Sequence, residues 1–245
     1  MKRNSIYAEL CLKSGSGHPA AGYRLARALS LAVAFNEVVL IEGAGPAVSS
    51  PLLEVAATLA SPVAGHVRHW GRDAAMGRRE KLYRLRRRIA YISPQQVLLH
   101  LLTLAENIAL GPCYYQGGSE AEALAPHAGL LAQLELQAHL THYPTQVSAA
   151  IYARAVWARE LIKGPELILA VIGGDLATTA GAAMLVNVLR EYLARYGAAA
   201  LLLGESLEAF YPLGHRLFRL ESGQLRKRTI LEHRARPLTA YLPLV

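Results

Sequence analysis

Aspartate is scarce in this sequence. Its 245 residues include 16 Glu but only two Asp, Asp73 and Asp175. Enzymes that hold Mg²⁺ for phosphate chemistry usually place acidic side chains at strand ends, so this chain has few places for such a site. Cysteine is scarce as well, and Cys11 and Cys113 cannot form a disulfide framework. The composition therefore disfavours both a carboxylate-rich metal centre and a disulfide-rich secreted domain.

Long, uniformly apolar runs are also missing. The most apolar stretch, residues 167–189, is interrupted by glycines, by Asp175 and by Asn187, which favours a buried strand, turn and helix over a membrane span. Near the start, Glu9 and Lys13 fall where a signal peptide would need an unbroken apolar segment. We therefore expect a cytoplasmic protein.

Hydrophobic residues and positive charge, by contrast, are abundant. A hydrophobic content of 53% indicates a folded globule, and the net charge is +8. Two basic runs, Lys81–Arg88 and Arg226–Arg228, could contact nucleic acid or anionic lipid headgroups. A solvated basic face is the more frequent explanation of such runs, so charge alone does not identify a partner.

Strand-like apolar runs alternate with helical patterns. Val38–Ile41 is typical of a buried strand, and a glycine-rich turn and a helical pattern follow it, with Pro51 expected in the first helical turn. Further strand-like runs lie at 167–172, 198–203 and 217–220. Residues 98–161 are mostly helix formers. This alternation predicts a mostly parallel sheet covered on both faces.

Five segments, taken in order, resemble the motifs of one family. They are residues 27–43 before and into the glycine-rich turn, the hairpin 65–73, the strand and leucines at 89–99, the segment 104–110, and the segment 143–161. Together they resemble the nucleotide-binding subunit of an ATP-binding-cassette (ABC) transporter, a P-loop ATPase that drives a membrane permease. The resemblance implies an α/β fold with a P-loop (RecA-like) core, an antiparallel β edge subdomain and an inserted helical subdomain.

The resemblance also implies domain boundaries. The core with its β edge is expected over residues 1–93 and 162–225, the helical subdomain over 94–161, and a C-terminal tail over 226–245. The apolar, proline-punctuated end of this tail, Pro237–Val245, is either a frayed end or a docking strand. The sequence does not separate these two alternatives.

The family's phosphate loop, G-x-x-G-x-G-K-[ST], is altered here. Aligned on Gly43, the chain has Pro46 and Val48 at the second and third glycines, Ser49 at the lysine and Ser50 at the Mg²⁺-binding hydroxyl. In the family the lysine brings positive charge to the phosphates, and the glycines let backbone N–H groups turn inward. Proline has no N–H and valine resists positive φ, so we expect this loop to have lost both charge and donors.

Other nucleotide-binding positions differ in the same direction. Val171 and Ile172 fall where the family has an aspartate for Mg²⁺ and a glutamate for the attacking water. Asp175 could replace these acids only in a rebuilt loop. Four further motifs are altered: Pro94 stands at the Q-loop glutamine, residues 149–151 at the signature Gly-Gly-Gln, Thr178 near the D-loop aspartate, and Glu205 near the switch histidine.

A few motif residues remain. Ser148 and Arg154 are vestiges of the signature, and Gln95, Gln96 and Glu106 mark the Q-loop and the groove that the resemblance implies for a permease. The histidine pairs 66/69 and 139/142 have ligand-like spacing, but no Cys or carboxylate cluster completes a metal site, so none is expected. A dinucleotide fingerprint or a simple strand-to-helix turn of an unrelated α/β fold would explain the glycines alone, but not the ordered motifs.

We therefore expect a catalytically inactive ABC-type ATPase-like subunit, a structural or regulatory part of a membrane-associated complex on the inner face of the membrane. It would have no catalytic residue and no cofactor. ATP and Mg²⁺ would bind only if this interpretation is wrong. The expected partners are an integral membrane permease-like subunit and a second ABC ATPase-like subunit, in a homodimer or heterodimer. Family members clamp each ATP between one subunit's phosphate loop and the other subunit's signature.

Two alternatives stay open. One is an ATP-binding or weakly hydrolysing subunit that relies on Ser50 and Asp175. The other is a basic nucleic-acid-binding module. An anionic lipid surface ranks ahead of nucleic acid as a further partner, because Lys81–Arg88 precedes the Q-loop strand, near the face that family members turn to their permease.

Overall fold

A computed structural model describes residues 6–12, 29–62, 64–73, 79–221 and 224–229. The strands are β1 (Ile6–Leu12), β2 (Leu29–Ala34), β3 (Val38–Glu42), β4 (Gly65–His69), β5 (Arg72–Asp73), β6 (Ile89–Ile92), β7 (Leu167–Val171), β8 (Ala199–Gly204), β9 (Arg216–Glu221) and β10 (Gln224–Arg228). The α-helices are α1 (Pro46–Ala56), α2 (Arg79–Arg87), α3 (Leu104–Gln116), α4 (Glu120–Leu124), α5 (Ala128–Gln133), α6 (Ala149–Leu161) and α7 (Thr179–Tyr196).

The main sheet has six strands in the order β10-β9-β3-β8-β7-β6. Strands β9, β3, β8, β7 and β6 run parallel, and β10 pairs antiparallel with β9. Every residue of β7 and β8 is buried, because apolar side chains on both faces of these strands are covered by packing. The prediction of a mostly parallel sheet covered on both faces is confirmed.

The second sheet is antiparallel, with four strands in the order β2-β1-β4-β5. Side chains of β2 and β4 share one apolar cluster with α1 and with one face of the main sheet; its members include Leu31, Leu53, Val67, Leu169 and Leu201. Helix α1 therefore lies within the core between the two sheets. The other face of the main sheet packs against α3, α6 and α7 in a second cluster.

Residues 104–161 are helical or looped. Two helices in this part of the chain begin with a reciprocal capping box, Thr103 with Glu106 at α3 and Ser119 with Glu122 at α4, which satisfies N–H groups that the first turn leaves without a partner. Helix α6 packs against β6 and α3. The proposed division into a core and a helical subdomain remains a prediction.

Two boundaries differ from the sequence-based expectation. Helix α1 begins at Pro46, so Pro51 lies inside the helix rather than in its first turn. Proline is tolerated at the first helical position as well, and the start at Pro46 uses that position. At the other end, β10 reaches Arg228, so residues 226–228 belong to the main sheet and not to a tail. Residues 237–245, the suggested frayed end or docking strand, lie outside the described residues.

Candidate functional site

Four parallel strands end at the same edge of the main sheet. Glu42 is in register with Gly204, and Val171 with Leu203, so the ends of β3, β8 and β7 lie side by side. The strand β6 ends beside β7 at Ile92. In open α/β sheets, ligands bind outside the carboxyl ends of the strands. The segments that follow these four strands therefore form the candidate site.

The glycine-rich turn after β3 is bonded to the segment after β8. Gly43 has a φ of 75°, and a Cβ there would lie 3.0 Å from the carbonyl oxygen of Leu220, so this position requires glycine. The N–H of Gly43 donates to the carbonyl of Glu205, and the N–H of Ala44 to that of Gly204, both at 3.3 Å. These two backbone donors are therefore not free for a ligand.

Helix α1 starts immediately after this turn. Gly45 is its N-cap, and the N–H groups of Val48 and Ser49 both donate to the Gly45 carbonyl at 3.0 Å. The Ser49 side chain is fully buried, and its Oγ donates to the Ala44 carbonyl at 2.7 Å. The residue at the family's lysine position thus closes the turn from inside instead of pointing into the site.

A buried hydroxyl pair lies beneath the turn. Ser50 Oγ is 3.3 Å from Ser93 Oγ, and both side chains are buried. Nearby, burial raises the pKa of Tyr91, and the negative charge of Glu54 adds to this increase, while a hydrogen bond with Ser93 opposes it. The hydroxyl that would bind Mg²⁺ in the family therefore lies against Ser93, the residue that follows β6.

Two glutamates surround the turn. A Cβ on Gly45 would lie 3.4 Å from Oε1 of Glu205, which puts this carboxylate at the N-terminus of α1, where the helix dipole favours a negative charge. Glu42 Oε1 accepts from the N–H of Leu207 at 2.8 Å and from the hydroxyl of Tyr211 at 2.7 Å. Burial, and then Glu42, raise the pKa of Tyr211.

Sequence reasoning missed the contribution of Glu42. It named the strand Val38–Ile41 and the glycine-rich turn but gave Glu42 no role. An ionisable residue at the end of a buried strand is a usable signal, because it needs a partner there. The partners, Leu207 and Tyr211, are 165 and 169 residues away and cannot be read from local patterns.

The end of β7 is apolar. Val171 and Ile172 are buried, and the N–H of Ile172 donates to the carbonyl of Leu203 at 2.7 Å. Asp175 lies farther on, in the 3₁₀ turn Gly174–Ala177, and is exposed. Its carbonyl accepts from the Thr178 hydroxyl at 2.7 Å, and Thr178 caps α7. The structure does not bring the Asp175 carboxylate into contact with Ser50 in any described hydrogen bond.

The segment after β6 holds the predicted Q-loop residues. Gln95 is exposed, and its N–H lies 3.4 Å from Ser93 Oγ. Gln96 is half-buried, and its side-chain oxygen has no hydrogen-bond partner among the residues that the structure describes. Glu106 is exposed and engaged in the capping box with Thr103. The structure thus gives Glu106 a local helix-capping contact.

Two side chains hold the loop between β6 and α3. Asn107 is fully buried; its Oδ1 accepts from the N–H of Leu99 at 2.7 Å, and its Nδ2 contacts the carbonyls of Leu99, Leu102 and Thr103 at 2.9 to 3.1 Å. The hydroxyl of Tyr152 accepts from the N–H of Leu98 at 2.6 Å. This scaffold leaves three apolar side chains of the loop exposed: Val97 by 68%, Leu99 by 49% and Leu101 by 91%.

The predicted signature residues lie on α6. Ser148 is its N-cap and is exposed; its Oγ accepts from the N–H of Ile151 at 3.4 Å. Arg154 forms an ion pair with Glu135, which follows the end of α5. Both residues therefore have structural roles within the helical part of the chain, and Ser148 keeps its hydroxyl at a helix N-terminus.

Comparison with known proteins gives the family. No protein-family model matches the chain. Over 173 residues it is 31% identical to the lipoprotein-releasing system ATP-binding protein LolD of Shewanella denitrificans. The aligned region covers 70% of this chain and 73% of LolD. The chain belongs to the ATP-binding subunits of ABC transporters.

Other ABC relatives are much longer than the matched part. The chain is 34% identical over 143 residues to the macrolide export ATP-binding/permease protein MacB of Burkholderia pseudomallei. The aligned region covers 58% of this chain and 22% of MacB. The chain thus spans about a fifth of the length of such relatives. Among solved structures, the dimeric ATP-binding cassette MJ0796 bound to ADP and Pi has a TM-score of 0.77 at 22% identity, over 91% of this chain and 98% of that cassette. The predicted fold class is confirmed.

The residues at the ABC nucleotide positions do not fit Mg²⁺ and a triphosphate. Ser49 and Ser50 direct their hydroxyls to Ala44 and Ser93, and β7 ends in apolar side chains. No group of three or more His, Cys, Asp or Glu side chains among the described ranges could hold a metal ion. His69 bonds the Ala56 carbonyl, and the rings of His139 and His142 are 5.6 Å apart.

One further property concerns the membrane. Within the described part of the chain, no helix is long and apolar enough to cross a bilayer.

Proposed function

We propose that this ABC subunit is catalytically inactive and serves as a structural or regulatory part of a membrane-associated, transporter-like complex. The observation that supports this proposal is the closed turn before α1. Its serine hydroxyls and four of its N–H groups bond within the protein, and a glutamate carboxylate lies at the helix N-terminus. A phosphate would have to displace these bonds and would be repelled by Glu205.

Isothermal titration calorimetry with Mg-ATP on the isolated chain tests this proposal. We expect no binding heat at micromolar nucleotide. In a phosphate-release assay we expect the same rate as in the buffer blank. Micromolar affinity or release above the blank would contradict an inactive subunit. Glu205→Gln tests whether this carboxylate repels phosphate, and Glu208→Gln is its matched control. Both residues are exposed and lie in the same segment, but only Glu205 is at the N-terminus of α1.

A second candidate function keeps the nucleotide. The relatives at 30% identity or more include proteins named as ATP-binding, which supports an ATP-binding or weakly hydrolysing subunit. Such a subunit would use Ser50 and Asp175 after a rearrangement of the turn. The same titration separates the two candidates: binding that is lost in Asp175→Asn would favour the second.

The partner we propose is an integral membrane subunit. MacB is named an ATP-binding/permease protein, which supports a permease partner for this chain, and LolD is named as part of a lipoprotein-releasing system. In this chain the exposed side chains Val97, Leu99 and Leu101, on a loop fixed by Asn107, offer an apolar contact beside Gln95 and Gln96. We place a permease helix there, which puts the chain on the inner face of the membrane.

Co-purification from detergent-solubilised membranes tests this partner. We expect wild-type chain to retain a polytopic membrane protein, identified by mass spectrometry, and Leu101→Glu to lose it, because a charge in an apolar contact costs desolvation. Leu59→Glu is the control, since Leu59 is 50% exposed and lies in the bend after α1. Equal loss in both variants, or retention in both, would exclude this loop as the contact. A second ABC subunit in the same eluate would show a heterodimer.

A further inference from the structure

The inward side of α2 is accounted for by the fold. Leu85 packs against the core between the two sheets, and Arg86 bonds the hydroxyl and the carbonyl of Thr58. Arg88, directly after the helix, forms two hydrogen bonds with the Glu166 carboxylate, at 2.6 and 2.7 Å. These arginines therefore anchor the segment, Arg88 through an ion pair and Arg86 through hydrogen bonds to neutral groups.

The outward side of α2 is different. Lys81, Tyr83, Arg84 and Arg87 are exposed, and Tyr83 and Arg87 are one helical turn apart on the same face. Arg84 pairs with Glu80 at 2.8 Å, but both side chains are more than three-quarters exposed, so the pair adds little to stability. Tyr83 leaves 59% of its surface in water.

Helix α3 extends this face. The guanidinium carbon of Arg87 lies 4.3 Å from the centre of the Tyr115 ring, and the rings of Tyr115 and Tyr114 meet edge to face at 5.1 Å. Tyr114 is 81% exposed, and Leu110, one turn earlier, 43%. We call the exposed residues Lys81, Tyr83, Arg84, Arg87, Tyr114 and Tyr115, which the Arg87–Tyr115 contact links across the two helices, the basic–tyrosine surface.

The composition of this surface matches a membrane interface. Tyrosine has an apolar body and a polar tip and is enriched at the headgroup level of bilayers, and arginine and lysine beside it attract anionic lipids. A purely solvated basic face would not need three exposed tyrosines. Among the side chains of this surface that the structure describes, three cations and Glu80 give a net charge of +2, which is small for a polynucleotide, whose binding depends on many phosphate contacts.

We propose that the basic–tyrosine surface binds the anionic phospholipid face of a membrane directly. The tyrosine rings enter the headgroup layer, and Arg84, Arg87 and Lys81 pair with lipid phosphates. This contact is separate from the permease contact and from nucleotide binding, so it is testable with the isolated chain whatever its ATPase activity.

Vesicle flotation tests the proposal. The full chain is mixed with vesicles of phosphatidylcholine alone, or with about one third phosphatidylglycerol. We expect flotation only with the anionic vesicles, and weaker binding when salt rises from about 0.05 M to about 0.5 M, because the Debye length shortens. Each cation near such a surface contributes about fivefold to partitioning, so Arg84→Gln/Arg87→Gln lowers the partition coefficient about 25-fold.

Two further variants make the test specific. Arg226→Gln/Lys227→Gln removes the same charge from exposed positions of β10 and should reduce partitioning less than about twofold. Tyr114→Ser keeps the net charge and should lower partitioning severalfold, because an aromatic ring no longer enters the interface. Unfolding midpoints within experimental error of wild type confirm that each variant is folded.

The proposal is overturned by any of three results. They are no flotation with anionic vesicles, equal loss in the α2 and β10 double variants, and unchanged flotation in Tyr114→Ser. Binding of a double-stranded RNA or DNA fragment that is lost in Arg84→Gln/Arg87→Gln while vesicle binding is absent would instead assign the surface to nucleic acid.

Discussion

At the scale of single residues, polar groups buried at the strand ends organise the candidate site. Glu42 accepts hydrogen bonds from the Leu207 N–H and the Tyr211 hydroxyl, so one carboxylate fastens the segment after β8 to the end of β3. Gly43 and Ala44 bond the same segment through their N–H groups. A phosphate-binding turn would need donors that face the site, and here the N–H groups of Gly43, Ala44, Val48 and Ser49 donate to carbonyls of the protein itself.

Tyr211→Phe should destabilise the protein by about 1.5 to 2 kcal/mol, because it removes a hydrogen bond to a charged group and leaves the ring in place. Urea unfolding followed by circular dichroism measures this change. Tyr196→Phe is the control, since Tyr196 is 46% exposed, and it should change stability by less than about 0.5 kcal/mol. If Tyr211→Phe lowers the free energy of unfolding as much in a Glu42→Gln background as in wild type, the hydrogen bond to the Glu42 carboxylate is not the source of the loss.

Asn107→Ala should destabilise by about 2 kcal/mol. The amide makes four hydrogen bonds within the loop and α3, and its removal leaves the Leu99 N–H without its acceptor. The exposed Asn187 on α7 gives the matched control, because Asn187→Ala removes only a contact with Arg190. Chemical denaturation of both variants checks the difference, and equal midpoints would refute a structural role for Asn107.

At the scale of elements, local patterns predicted most of the fold. Runs of apolar residues predicted β3, β7, β8 and β9, because a strand covered on both faces has a simple signature. The start of α1 differs from the prediction, because Pro51 favours a first-turn proline whereas the helix begins five residues earlier, at Pro46. The contacts of Glu42 and the Ser50–Ser93 pair lay beyond sequence reasoning, because they join residues that only the sheet order brings together.

The C-terminus of α7 offers an element-scale prediction. Gly197 has a φ of 63°, and a Cβ there would lie 3.1 Å from the Phe35 ring, so Gly197→Ala should destabilise by about 1 to 2 kcal/mol. Gly129 lies within α5 with no atom near its Cβ position, so Gly129→Ala should stabilise by up to about 1 kcal/mol. Thermal unfolding of both proteins measures the two signs, and the same sign for both would contradict this assignment of the helix end.

At the scale of the whole molecule, ATP binding and dimer formation are linked, because each ATP would lie between two subunits. Family members are expected to clamp each ATP between the phosphate loop of one subunit and the signature of the other. In this chain the turn before α1 is closed, and the N-terminus of α6 retains Ser148 without the signature glycines. If the subunit is inactive as proposed, two copies of the chain would offer ATP neither half of a complete clamp.

Mg-ATP should consequently leave the isolated chain's association state unchanged. A ligand that binds with a Kd of about 1 mM adds only about 0.4 kcal/mol at about 1 mM, too little to drive dimerisation of a dilute protein. Sedimentation velocity with and without Mg-ATP should give the same coefficient for wild type and for Ser148→Ala. A nucleotide-dependent dimer that Ser148→Ala abolishes would show that the signature still closes over ATP, and the inactive-subunit proposal would then fail at its central point.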